Sequence, residues 1–368
     1  MCYFDDGFTE LSYFNILKQI VERVYSDAKI DKPLGGLVFR YKVDESINAC
    51  AYINSLGQDC LDLNVGTVSF YFAYMKSVMS DKEVFKEFGS PNVESGGIVT
   101  GVYEPRKRAI FFTGEPKDPI RNSLSNLLSL IALRFVVAHE FGHLFNGHCD
   151  LLNTLYAVPK AEMIIKRIIP VFSESYALDH RTMEMDADSA AATSSIDNIV
   201  MLYQCWEENK NITPYDGIGD RNQLFKLWSF AVHSVFLIFE GLHKTDYSGL
   251  SFYLPNEARA MLVFNGAINA LDKWIKHGVF ACTEQDKLLI EQQVLKGILE
   301  AEEYFNRKFG HNYNYIASTH GNTMYVKYAD EVLDYWNKKL RKKLEKYSRT
   351  PLYNPDTIDE VIESLKNK

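Results

Sequence analysis

His139-Glu140-Phe141-Gly142-His143 sets two imidazoles four residues apart with a carboxylate between them. On a helix, at about 100° per residue, the two imidazoles stand one turn apart on the same face, where they can bind a single metal ion. Glu140 is then offset so that it can hold a water on that ion. The same pentapeptide also arises by chance as two surface histidines beside a glutamate. Here the preceding run from Leu124 to Val137 is apolar on nearly all sides, so the three polar groups at its end would be buried and in need of a partner. One zinc ion per chain is the expected partner.

Zinc in a hydrolase takes three protein ligands and keeps one position for water, so a third ligand must come from elsewhere. The motif continues Leu144-Phe145-Asn146-Gly147-His148, which does not follow the pattern HExxHxxGxxH. The segment Met183-Glu184-Met185-Asp186-Ala187-Asp188 offers an alternative, with Glu184 and Asp188 on one helical face beside alanines that permit close packing. Glu184 is expected to ligate, and Asp188 to accept the outer N–H of a ligating imidazole. An acidic, solvated helix face is the plain alternative. The competing carboxylates are Glu174, in a looser Ser-rich stretch, and Asp186, which points about 200° away from Glu184 on the same helix. His148 and Cys149 follow closely, but a metal held by two His and one Glu needs neither, and on a continuing helix His148 is rotated off the face of His143.

The run from His139 to His148, followed by Glu184-Met185-Asp186-Ala187-Asp188, resembles the HExxHxxxxH and ExxAD signatures of gluzincin zinc metallopeptidases. It is similar in particular to the CAAX-processing and HtpX-like family and to soluble relatives such as the Lit-like phage-exclusion peptidases. The Ile47-Asn48-Ala49-Cys50-Ala51 segment resembles that family's Asn-Ala-x-Ala strand, which implies that Asn48 and Ala49 line the cleft edge where an extended substrate pairs its backbone. Tyr253-Leu254-Pro255-Asn256-Glu257-Ala258-Arg259 resembles the later His-Pro-x-x-x-x-Arg segment, with Tyr253 where histidine is usual. The resemblance implies a metalloendopeptidase acting on a protein or peptide, in which Glu140 takes the proton of the attacking water and passes it to the leaving amine. His233, Tyr253, Arg259 and His320 are candidates for stabilising the oxyanion, and each also fits a structural role. The rival reading is a catalytically idle, peptidase-like zinc scaffold that binds or senses a partner. Glu140 counts against it, because a structural zinc site has no use for a base beside the metal.

These residues must be positioned by the rest of a 368-residue chain that is 46% hydrophobic and 24% charged, ordinary globular usage that excludes a disordered or collagenous protein. Forty Lys and Arg against 48 Asp and Glu give a net charge of −8, which argues against a surface that grips nucleic acid. The six cysteines are scattered without a CxxC pair, and the amino terminus lacks the basic flank and apolar run of a secretory signal, so a cytoplasmic location is expected. Leu127 to Ala138 and Leu227 to Leu242 fall short of the roughly 20 apolar residues of a membrane span and read as buried helices.

Apolar spacing predicts a helix over Phe14 to Tyr25, and short alternating or β-branched runs predict strands at Leu37 to Val43, Ile47 to Ile53, Cys60 to Val65 and Ala109 to Thr113. Asp81 to Gly101 reads as a surface excursion. Helices are expected from a cap at Ser123 or Ser125 through His143, then at Thr182 to Trp206, Gln223 to His243, Glu257 to Lys276, Glu284 to Phe309 and Gly321 to Tyr347. The lysine-rich run from Lys338 to Lys346 reads as a solvated helix face. The expected architecture is α+β: a small mixed or antiparallel sheet with an active-site helix and a ligand helix in a metallopeptidase domain at 1–280, then a mainly helical region at 281–368.

Overall fold

Strand-forming and helix-forming runs segregate along the chain, and the resulting α+β fold is described by a computed structural model for residues 3–4, 13–28, 36–156, 174–211, 215, 217–242, 251–319 and 323–352. The main sheet is mixed, with order β1 (Tyr3–Phe4), β2 (Leu37–Lys42), β4 (Asp59–Asn64) and β3 (Ala49–Ile53). β2 and β4 run parallel, whereas β1 pairs antiparallel with β2 and β3 antiparallel with β4, so β3 is an edge strand. Helix α1 (Tyr13–Asp27) buries Phe14, Leu17, Val21 and Val24, a single face at helical spacing, and the Tyr41 hydroxyl of β2 donates to the Phe14 carbonyl at 2.7 Å. Strands β5 (Thr100–Glu104) and β6 (Ala109–Thr113) form a hairpin of their own, so the run from Ala109 does not join the main sheet as expected.

Helix α2 (Val65–Met79) follows β4 directly and was not anticipated, because its Val, Thr, Phe and Tyr residues are strand formers by composition. Burial decides instead: Val65, Val68, Tyr71, Phe72, Met75 and Met79 are all covered. Gly66 opens this helix against the Glu45 backbone, where a Cβ would come within 2.1 Å of the carbonyl oxygen. The segment after α2 is a surface excursion only from Gly89 to Ile98, where most residues are exposed. Val84, Phe85 and Phe88 are buried, and the fully buried Arg121 guanidinium donates to the carbonyls of Met79, Asp81, Val84, Phe85 and Phe88 at 2.7–3.1 Å.

Helix α3 (Pro119–Phe145) starts earlier than the serines suggested, at Asp118, whose side chain accepts from the Arg121 amide while Pro119 occupies the first turn. α4 (His148–Tyr156) follows after a break, and α5 (Glu174–Gln204) begins at Glu174, well before Thr182. The remaining helices are α6 (Trp206–Asn209), α7 (Gln223–Leu242), α8 (Asn256–Lys276), α9 (Glu284–Phe309), α10 (Tyr315–Thr319) and α11 (Thr323–Tyr335), which runs through a π-helical stretch at Trp336–Leu340 into α12 (Arg341–Leu344).

α3 is central, packing on α2, α5 and α7, while α9 lies along α7 with Gly297 against Ser229. α3 and α7 reach the length and apolarity of a membrane span, longer than the sequence runs implied, but 83% of each apolar window is buried within the chain. A second apolar cluster joins Leu151, Met183, Leu254, Trp336 and Leu340, docking the carboxy-terminal helices on α4 and α5. Lys343 departs from the solvated lysine face: its ammonium, with the Tyr335 hydroxyl, pairs with the buried Asp179 of α5. No disulfide links the cysteines among the described residues.

Candidate metal centre

Two helices and one glycine bring the site together. A Cβ on Gly142 would lie 2.9 Å from the Ala187 Cα, so α3 and α5 touch backbone to backbone at this point. His139 and His143 on one side and Glu184 and Asp188 on the other bracket this contact. Gly142→Ala is therefore expected to push the helices apart and weaken metal binding, because Ala187 presents backbone atoms that cannot rotate away. Zinc titration of the variant checks this; wild-type affinity would show that the close approach is not what sets the ligand geometry.

The side chains converge through their tips. His139 Nε2 lies 3.2 Å from His143 Nε2, 3.4 Å from Glu184 Oε2, and His143 Nε2 lies 3.5 Å from Glu184 Oε1. Three donors each about 2.0–2.1 Å from one ion in tetrahedral array would sit roughly 3.3–3.4 Å apart; here each imidazole nitrogen faces a different oxygen of the Glu184 carboxylate, and one donor atom from each residue lies within 4.8 Å of the others. Two imidazole nitrogens and a carboxylate oxygen are also the donor set that suits zinc. His139, His143 and Glu184 thus form a group that can hold a metal ion, and the expected ligand set is brought together.

Each histidine is backed from behind. His139 Nδ1 lies 2.9 Å from Asp188 Oδ1, as the spacing from Glu184 suggested. Asp188 in turn accepts from Arg259 at 2.7 and 2.9 Å, and the same guanidinium lies 3.6 Å from Glu184. Burial opposes charge on Glu184 and Asp188, but His139 and Arg259 outweigh it and hold both carboxyl groups below their ordinary range. Burial likewise opposes protonation of His139, yet Asp188 and Glu184 push its pKa up to about 10. His143 goes the other way, kept neutral chiefly by burial.

Behind His143 stands an arrangement that the sequence did not reveal. His143 Nδ1 faces His148 Nδ1 at 3.0 Å, His148 Nε2 faces Asp186 Oδ2 at 3.1 Å, and Asn146 donates to the same oxygen at 2.6 Å. If Nε2 of His143 is a ligand, its Nδ1 carries the proton and donates to His148, whose own Nε2–H donates to Asp186; one set of tautomers satisfies the chain. His148 and Asp186, set aside as ligands, are supports. The HExxHxxxxH spacing was the signal for His148; Asp186 had only its place between Glu184 and Asp188. His148→Ala is expected to lower metal affinity about 10–100-fold, the usual cost of removing such a partner. Asp188→Ala should do so as well and also destabilise the fold, since Arg259 would remain buried without its bidentate partner. Chelator competition and thermal melts separate the two effects.

Glu140 is not part of the ligand triangle. Burial raises its pKa to about 7, and the Ala51 backbone amide of β3 bonds to its carboxylate. β3 pairs with β4 through the even-numbered residues, as the bond from the Asn64 amide to the Asn48 carbonyl shows, which turns the backbone of Ala49 and Ala51 away from β4; Ala51 is fully buried there, and its carbonyl accepts from Cys149 Sγ at 3.7 Å. Asn48 is therefore corrected as an edge residue: its amide and carbonyl are both engaged by Thr67 Oγ1 at 2.8 Å.

Of the oxyanion candidates, Tyr253 borders the site, with burial and the charges of Glu184 and Glu140 raising its pKa and the Arg259 guanidinium 5.3 Å from its ring centre. Arg259 is committed to Asp188. His233 takes no part: it is buried between α7 and α9 with Nε2 3.0 Å from Glu302. His320 lies outside the described residues. A residue not singled out by sequence, His180, sits one turn before Glu184 on α5, its ring stacked on Phe252 and its buried Nε2 without a hydrogen-bond partner among the described residues; burial lowers its pKa to about 4. Its signal was present in the four-residue intervals of Tyr176, His180, Glu184 and Asp188.

The class that fold and site define is an α+β protein with a paired-helix group able to hold one metal ion. No family profile, characterised protein or solved structure matches the chain.

Proposed function

We propose that this protein is a zinc metalloendopeptidase of the gluzincin kind, hydrolysing peptide bonds of a protein substrate. The observation that carries the reading is the placement of Glu140: adjacent to a triangle of His139, His143 and Glu184 but outside it, and facing an edge strand. A purely structural metal site needs four closed ligands and no neighbouring carboxylate with an ordinary-to-raised pKa. A zinc ion at the triangle supplies Lewis acidity and lowers the pKa of a coordinated water.

The chain's own residues do the rest. Glu140, with a pKa near 7, is matched to accept a proton from water and return it to the leaving amine at neutral pH. The outward-facing backbone of Ala49 can pair with an extended substrate, which adds a strand at the edge of the sheet beside Glu140. Tyr253 and His180 supply polar tips on the α8-ward and α5-ward sides of the triangle, where a developing oxyanion requires donors. Asp188, His148 and Asp186 fix the imidazole tautomers. The test is metal analysis of the purified chain together with proteome-wide detection of new peptide termini, comparing the zinc-loaded wild type with Glu140→Gln. New termini that appear only with the wild type support the reading. A metal content near zero that added zinc cannot restore, or identical termini from both proteins, would overturn it.

A further inference from the structure

The last turn of α3 carries a proposed metal ligand, His143, and this turn is held from outside by a segment far along the chain. Phe145 ends the helix, so its carbonyl has no partner within α3. The Arg349 amide donates to it at 2.7 Å. The Arg349 side chain lies at the negative end of the helix and bonds the fully buried Asp59 at the start of β4 at 2.6 Å, with Asp150 of α4 at 3.4 Å. The Tyr25 hydroxyl donates to the same Asp59 at 2.9 Å.

The fit is close along the whole segment. Gly147 has φ +81°, and a Cβ there would lie 2.7 Å from both the Ser348 nitrogen and the Tyr347 carbonyl carbon. Thr350 Oγ1 then donates to Asn146 Oδ1 at 3.0 Å, while the other end of that amide donates to Asp186. From Thr350 the contacts run without a gap through Asn146, Asp186 and His148 to His143.

We propose that residues 347–350 are a strap that positions His143 for metal binding, with Arg349 and Thr350 as positioning residues, and that displacing the strap lowers metal affinity. The inference rests on the metal-centre reading above. Two routes converge on the ligand. Arg349 fixes the backbone of the turn that bears His143, and Thr350 fixes the amide that orients Asp186 behind His148.

The experiment is zinc titration by chelator competition on the full chain, comparing wild type with Thr350→Val, Thr350→Ser and Arg349→Gln, alongside amide hydrogen exchange of residues 141–146 in the zinc-free proteins. Thr350→Val, which keeps shape and loses only the donor, is expected to weaken zinc binding by about tenfold, the low end of the cost of removing an outer partner. Thr350→Ser should restore it. Arg349→Gln should weaken binding further, and both weakened variants should exchange faster over 141–146. Because Arg349→Gln leaves Asp59 buried without its cation, Thr350→Val decides the matter if that variant fails to fold. A folded Thr350→Val with zinc affinity within about twofold of wild type overturns the strap while leaving the metal centre intact. A wild-type chain that takes no zinc overturns the metal-centre reading, and the strap's role in loading with it.

Discussion

Glu140→Gln is expected to abolish hydrolysis while zinc stays bound. The carboxylate lies outside the triangle of His139, His143 and Glu184, so replacing it with an amide removes no ligand. In the proposed reaction it removes the group that takes a proton from water, whereas Glu184 and Asp188 are held ionised by His139 and Arg259. The loss should be on the order of 10²-fold to 10⁴-fold, the usual contribution of general acid–base catalysis. Turnover measured at confirmed zinc occupancy makes the check. Retained turnover would show that another group acts as base.

Glu184→Ala is expected to have the opposite signature, with zinc and activity lost together. It removes one of three donors and leaves two imidazoles 3.2 Å apart with no carboxylate among the donors. The drop in affinity should exceed the roughly 10–100-fold typical of outer partners such as His148 or Asp186. Asp186→Ala provides the contrast, because Asp186 reaches only His148 and Asn146. Should Asp186→Ala release zinc while Glu184→Ala retains it, the ligand assignment is wrong.

The triangle was legible in sequence because a regular helix converts spacing directly into geometry: four residues between His139 and His143, and four between Glu184 and Asp188, survive in α3 and α5 unchanged. The support behind His143 was not legible for the converse reason. Rotating His148 off the face of His143 assumed a helix that continues, whereas α3 stops at Asn146 and Gly147 adopts a left-handed conformation that returns His148 to the ring it follows. Helix α2 was missed through composition: β-branched and aromatic residues signal strands when half exposed, and here they are buried on most sides by α3 and the sheet. The inward turn of Asn48 was hidden as well, since strand register depends on the partner strand and not on the residues of β3 alone.

Arg121 recognises a path and not a sequence. All five of its bonds end on main-chain carbonyls between Met79 and Phe88, a stretch without a regular ladder, which Glu300 also holds by accepting from the Phe85 amide. The exposed residues of the stretch, Lys82, Glu83 and Lys86, make no side-chain contact with Arg121, and Glu83 and Lys86 pair with each other at the surface at 2.8 Å. Lysine could not replace Arg121: it has neither the fork nor the number of donors to reach five acceptors. The path of the stretch is thereby made to depend on a single position on the helix that also carries His139 and His143.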